Sequence, residues 1–208
     1  MDQDEMIEQL MSYVKRISNT KLYVIVKHLM EKNIEALKIY PAASRNHHEC
    51  VSGLAYHTLS MLKLADSMLA IYPSLNADLM YAGILLHDLG KTVELSGPVV
   101  PTYTLEGKML GHISIAQAMV YEAAKELNIE GEEVILLQHL ILSHHGKNEF
   151  GSPVLPQIKE AEMIYLIDNI DARMNMFDKA LDQVEPGEYS KRVFALENRT
   201  IYKPKMYE

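Results

Sequence analysis

The chain has one cysteine, Cys50, so no disulfide can form within it and a thiolate zinc cluster is excluded. A reducing cytoplasm suits that composition. Cys50 lies near His48, but no separate feature marks it as an activated nucleophile. No apolar run approaches the roughly 20 residues that span a bilayer. The N-terminus carries Asp2, Asp4 and Glu5 where a signal peptide is basic, so a soluble, cytoplasmic protein with no membrane partner is expected. Basic residues are also scarce: 20 Lys and Arg against 28 Asp and Glu give a formal charge of -8. That balance argues against a broad phosphate-binding surface and makes any nucleic-acid contact local, although divalent metals would offset some of the charge at a site. A glycine-rich phosphate loop is lacking too, as is any repeat of solenoid length, so phosphate binding falls to metal or side chains.

What the sequence does have is helical periodicity. Apolar residues recur at helical spacing from Met6 to Ile17, and a second apolar stretch runs from Leu22 to Leu37. Together they predict two N-terminal helices packing on the core. Gly53 opens a segment with Leu54, His57, Met61, Leu64 and Met68 on one face, so His57 points inward. The next helix should begin near Asn76 or Asp78 and run into His87 and Asp88, with Gly90 as its stop. Between Thr92 and Thr104 the pattern suits an irregular loop or a small hairpin at 92–104, the one place where strand is expected. Helix resumes near Gly111 with His112, Ile115, Ala116, Met119 and Ala123, again from Glu132 to His145, and finally from Ile158 to about Leu181. The tail after Gly187 packs over the body or meets a second copy in a homo-oligomer, and the sequence leaves both open. The fold class expected is all-α, one globular unit long enough to bury a substantial core.

A lone histidine on a buried helical face is usually a satisfied core residue. Here His57, His87, Asp88, His112, His144 and Asp168 come one or two at a time from five successive helices, near helix ends or on apolar stripes. Asp168 has mainly apolar helical neighbours, Ala161, Ile164 and Tyr165, and burying an unpaired carboxylate there is costly. A metal supplies the missing charge. Asp171 and Asn175 continue that polar stripe as groups that orient ligands or touch substrate. Of the adjacent pair His144 and His145, the stripe Leu137, Leu140, Ile141 places His144 deeper, so His144 is the ligand and His145 a neighbour at the substrate. Four imidazoles with two carboxylates suit manganese, iron, cobalt, nickel or zinc over calcium or magnesium. Six ligands exceed what one catalytic ion needs, and Asp88 can bridge two ions about 3.5 to 4 Å apart.

His57, His87-Asp88 and Asp168 match the pattern H…HD…D, and the chain is identified on them as a member of the HD superfamily of metal-dependent phosphohydrolases. His112 and His144 match the second-metal ligands of its binuclear members. The strings GLAYHT, ILLHDLGK, GHISIA, ILSHHGK and YLIDNIDARM resemble more specifically the HD domain of YhaM-type 3′-5′ exoribonucleases, from about Tyr40 nearly to the C-terminus. The resemblance implies an HD-domain helical bundle over 41–208, with 1–40 as helices packed upon it. It implies two divalent ions, manganese first, and phosphodiester hydrolysis with short single-stranded RNA or DNA, or a nucleotide, as substrate. Asp88 and Lys91 are the candidate catalytic residues, Lys91 as a cation near the phosphate. Arg45, Asn46, His47 and His48 resemble the segment bordering the active site and are candidate substrate contacts, with His145 and Asp171. YhaM-type enzymes also carry an N-terminal OB-fold, whereas only about 40 residues precede the match here, so the chain is a fragment or a stand-alone form, and without the OB-fold grip on single strands should be weaker. Hydrolysis of nucleotides or cyclic dinucleotides, a non-catalytic nucleotide-binding regulatory module and a di-iron oxygenase remain alternatives on the same ligand set.

Overall fold

In a computed structural model, residues 2–40, 52–98 and 101–206 are described. The first apolar stretch becomes α1 (Gln3–Val14), capped by Asp2, whose carboxylate accepts the Gln3 amide N–H. Met6, Ile7, Leu10 and Val14 are buried, as their spacing predicts. The second stretch was expected as one helix and forms two, α2 (Thr20–Lys32) and α3 (Ile34–Ile39). Asn33 causes the break: its backbone leaves helical geometry and its side-chain amide donates to the Leu29 carbonyl at 2.8 Å.

Helix α4 (Gly53–Ile71) carries His57 inward. Helix α5 (Ala77–Leu86) starts at Asn76, whose side chain accepts the Leu79 amide N–H. Every residue from Leu79 to Leu86 is buried, because α5 is the central helix and packs against α1, α2, α4, α8 and α9. Its C-terminal end therefore delivers His87 and Asp88 to the middle of the molecule. A short helix α6 (Lys91–Glu94) follows, then α7 (Leu105–Glu126), α8 (Glu132–Ser143) and α9 (Lys159–Leu181). The small hairpin expected near 92–104 is present as one antiparallel pairing of Leu95 with Tyr103, and the described residues otherwise hold only isolated bridges. The fold is all-α.

Two glycines act differently from a simple helix stop. Gly90 has helical backbone angles, and a Cβ there would lie 2.1 Å from the His112 carbonyl oxygen. It is glycine because α7 passes against it, not because the chain turns left-handed. Gly111 does take a left-handed angle, φ 72°, and kinks α7 so that the chain re-enters helix at His112.

The bundle is also tied by a clamp between residues far apart in sequence. Arg16 grips Asp66 with two hydrogen bonds of 3.0 and 2.7 Å, while the Tyr13 and Tyr81 hydroxyls each donate to that carboxylate at 2.8 Å. This joins α4 and α5 to the end of α1. Asp66→Ala is expected to lower stability by about 1 to 2 kcal/mol, discounted for the half-exposed Arg16, because two tyrosine hydroxyls lose their acceptor. Urea denaturation would show the midpoint falling with an unchanged slope, whereas an unchanged midpoint would make the clamp inert.

After Gly187 the tail doubles back, pairing Tyr189 with Tyr202 and Val193 with Arg199. It packs on α9 through fully buried Leu196 and through Arg173, which holds Glu197 at 2.7 and 3.1 Å. No helix among the described residues is long and apolar enough to cross a membrane.

Candidate metal centre

The six residues read from the spacing converge on one buried point. Asp88 stands at its middle with its two oxygens facing different neighbours. Oδ2 lies 3.3 Å from His87 Nε2 and 3.9 Å from His57 Nε2, and His57 Nε2 is 3.2 Å from Asp168 Oδ1. Oδ1 lies 3.3 Å from His112 Nε2 and 3.7 Å from His144 Nε2. One carboxylate thus separates two sets of nitrogens.

The imidazoles share a rule of orientation. His87 Nδ1 is 2.7 Å from the Ile84 carbonyl, His144 Nδ1 is 2.7 Å from the Ile141 carbonyl, and His145 Nδ1 is 2.7 Å from the Phe150 carbonyl. A carbonyl only accepts, so each of these Nδ1 atoms carries the hydrogen. His57 Nδ1 meets Asp171 Oδ2 at 2.6 Å, and His112 Nδ1 meets Glu94 Oε1 at 3.2 Å. With every Nδ1 directed at an oxygen, Nε2 is the nitrogen offered to the centre. This is the arrangement by which outer carboxylates and carbonyls fix the tautomer of metal-binding histidines.

The donor set fits cations. Asp88 Oδ1, His112 Nε2 and His144 Nε2 are buried without any hydrogen-bond partner. Leaving three such atoms unsatisfied costs stability, and one cation among them satisfies all three. Charge points the same way. Burial opposes ionisation of Asp88, yet Lys91 and His87 hold it well below the usual carboxylate range, and the hydrogen bond from His57 holds Asp168 down against its own burial. For His57, burial disfavours the charged ring, but hydrogen bonds to Asp168 and Asp171 outweigh it and push the pKa up to about 9. Burial pushes His144 down, toward the neutral ring that metal binding requires, and burial reinforced by His144 pushes His145 down to about 4.

Several residues stand differently from their expected roles. Asp171, grouped with substrate contacts or ligand orientation, bonds His57 and accepts the Ser60 hydroxyl, so orientation is what its contacts support. Lys91, expected as a cation near the phosphate, is buried with its ammonium 2.6 Å from Asp88 Oδ2. His145, set aside as a neighbour, offers a ring nitrogen within 4.8 Å of those of His112 and His144. Arg45, Asn46, His47 and His48 lie outside the described residues. Glu94 was not foreseen at all, although its carboxylate accepts both the backbone N–H and Nδ1–H of His112. Its signal was present only as a carboxylate six residues after Asp88, on the next short helix.

The adjacent histidines can be told apart by substitution. His144→Ala is expected to lower turnover about tenfold or more beyond His145→Ala, because His144 is fully buried with its Nε2 facing the centre and bonded to nothing else, whereas His145 is partly exposed at the rim. Equal or reversed losses, measured as kcat with metal per chain, would reverse the assignment.

Comparison with known proteins gives the family of the chain. Residues 54–173 match the model of the HD domain. The chain is 57% identical over 205 residues to the 3′-5′ exoribonuclease YhaM of Halalkalibacterium halodurans, covering 99% of this chain and 64% of that protein. Against the enzyme of the same name from Bacillus pumilus it is 55% identical over 204 residues, covering 98% and 65%. The chain therefore spans about two thirds of the length of these relatives. No solved structure matches it. The HD match includes every residue of the centre from His57 to Asp171 and more than half of the sequence, and the chain belongs to the HD domain family.

Proposed function

We propose that this chain is a two-metal phosphodiesterase that removes nucleotides from the 3′ end of short single-stranded RNA in the cytoplasm. The observation that carries the reading is the two-sided Asp88, with each oxygen facing its own pair of inward-turned imidazoles. In this assignment His57, His87, Asp88 and Asp168 hold one ion, and Asp88, His112 and His144 hold the other with His145 beside them. Manganese is the ion that best suits the mixture of imidazole and carboxylate. Bound there, the ions supply Lewis acidity toward phosphoryl oxygens and an activated water for in-line displacement.

The residues' own work is positional. Asp171 and Glu94 hold His57 and His112 by Nδ1 so that the rings cannot turn away. Lys91 fixes the Asp88 carboxylate in the orientation that separates the two nitrogen sets and adds positive charge where a phosphate enters. Burial of the centre excludes bulk water from everything but its open side, where His112, His145 and Asp168 are partly exposed.

The test is to incubate the 208-residue chain with manganese and single-stranded RNA labelled at the 5′ end. A ladder shortening from the 3′ end is expected, with rate levelling off after a few nucleotides and duplex RNA handled poorly, because a chain of charge -8 has little surface for a long phosphate backbone. Intact RNA beside rapid cleavage of cyclic dinucleotides, or oxygen consumption without phosphate-ester cleavage, would replace this reading with one of its rivals.

A further inference from the structure

Away from the metal centre, the C-terminal half of α9 and the folded-back tail enclose two adjoining grooves, the first of about 300 Å³. Lys179, Lys191 and Arg192 supply their basic lining and Glu188 is the one acid among the lining residues. In a chain of charge -8 this is a local reversal of sign. Lys191 and Arg192 are exposed and make no ion pair among the described residues. Aromatic surface stands beside them: Phe194 is 89% exposed and Tyr189 is 67% exposed. Exposed rings interleaved with cations are what stacking of successive bases requires, with the backbone phosphates met by the cations. The geometry also points back to the centre. Lys179 comes eleven residues after Asp168, three helical turns on, so it lies within about 20° of the same face of α9 and about 16 Å along it. The tail that carries Lys191, Arg192 and Phe194 is held in place by the Arg173–Glu197 pair and by Lys203, whose ammonium donates to the Leu181 carbonyl.

Resting on the exonuclease reading above, we infer that this groove is a binding track for single-stranded nucleic acid, holding the nucleotides upstream of a 3′ end that lies at the metal centre. Lys191 and Arg192 neutralise backbone phosphates, and Phe194 stacks on a base. The track spans a few nucleotides, which sets the length at which the rate should level off.

The test compares the unmodified 208-residue chain with Lys191→Ala/Arg192→Ala and with Phe194→Ala. Binding of a fluorescently labelled RNA octamer is measured by anisotropy in EDTA, and cleavage of the same octamer and of an RNA dinucleotide is measured with manganese. The double variant should bind the octamer about tenfold more weakly, and its log–log salt dependence should be shallower by about 1.4, the value for two lost single-strand phosphate contacts. Phe194→Ala should lose about fivefold or more in octamer binding, the lower end for one stacked base. Dinucleotide kinetics should stay as in the unmodified chain, since the dinucleotide does not reach the groove. Unchanged octamer affinity and salt slope would overturn the track, as would an equal loss on the dinucleotide. If neither substrate is cleaved by the unmodified chain, the exonuclease reading fails, while the anisotropy arm still decides whether the groove holds single strands.

Discussion

Asp88→Asn is expected to abolish phosphodiester hydrolysis while leaving a folded protein. Asparagine keeps the shape and one carbonyl acceptor, but it removes the negative charge that faces His57 and His87 on one side and His112 and His144 on the other. Among the described residues Asp168 forms an ion pair with His57, on one side of the centre, whereas Asp88 pairs with imidazoles on both. In the proposed two-ion assignment both ions would therefore lose a ligand at once. Losing the shared ligand should remove about 4 kcal/mol of transition-state stabilisation, roughly a thousandfold in rate, because the ions act together on the same phosphoryl group. Folding should survive, because taking away a buried charge also removes its desolvation penalty and the asparagine carbonyl still offers the Lys91 ammonium an acceptor. Metal content per chain, circular dichroism and turnover measured on one preparation would decide it. A variant with full metal content and a rate within tenfold of the unmodified chain would refute the bridging role.

Most of the residues that meet at this centre were legible in the sequence because they obey helical spacing. His57 follows from the stripe on α4, and His144 from the buried Leu137, Leu140 and Ile141 on α8. Asp168 stood out as a carboxylate beside Ala161 and Ile164, both of which prove buried. Periodicity reports which face a residue occupies, and that was enough to bring five helices to one point. It does not report what lies across a kink. Glu94 reaches His112 only because Gly111 bends α7 and because Gly90 lets the two segments pass at contact distance. Neither effect has a periodic signature, so spacing shows neither the role of Glu94 nor the close approach that requires Gly90.

Other differences have the same origin. Lys91 was legible as a lysine three residues past Asp88, but a short helix turns it back onto the Asp88 carboxylate and buries it, which spacing alone does not reveal. The Arg16–Asp66–Tyr81 clamp joins residues 50 and 65 positions apart through charge and hydroxyl contacts, and nothing local to any of them announces the others. The break at Asn33 could be read only from its side-chain amide competing for a helix carbonyl. In the tail, mixed composition hid a short antiparallel pairing whose anchor, Leu196, is the one residue of its 3-10 turn that is buried.

Stripped of metal and then supplied with single ions, the chain should regain hydrolysis with manganese, far less with magnesium, and essentially none with calcium. Five imidazoles turn Nε2 or an equivalent ring nitrogen toward the centre, against two carboxylates, and nitrogen donors favour first-row transition ions over the hard, oxygen-seeking alkaline earths. The rigidity of the shell adds to the selection. Because each Nδ1 is tied to Asp171, Glu94 or a backbone carbonyl, the rings cannot swing aside to admit the six to eight oxygen ligands that calcium takes. The same preference should appear in stability without any turnover. An ion that binds the folded chain at a hundred times its Kd adds about 2.7 kcal/mol, and here it also satisfies Asp88 Oδ1, His112 Nε2 and His144 Nε2, which otherwise stay buried without partners. Manganese should therefore raise the melting temperature by several degrees at concentrations where calcium leaves it unchanged. If calcium matched manganese in both activity and melting temperature, the site would have to bind through oxygen alone, and the imidazole shell could not be the ligand set.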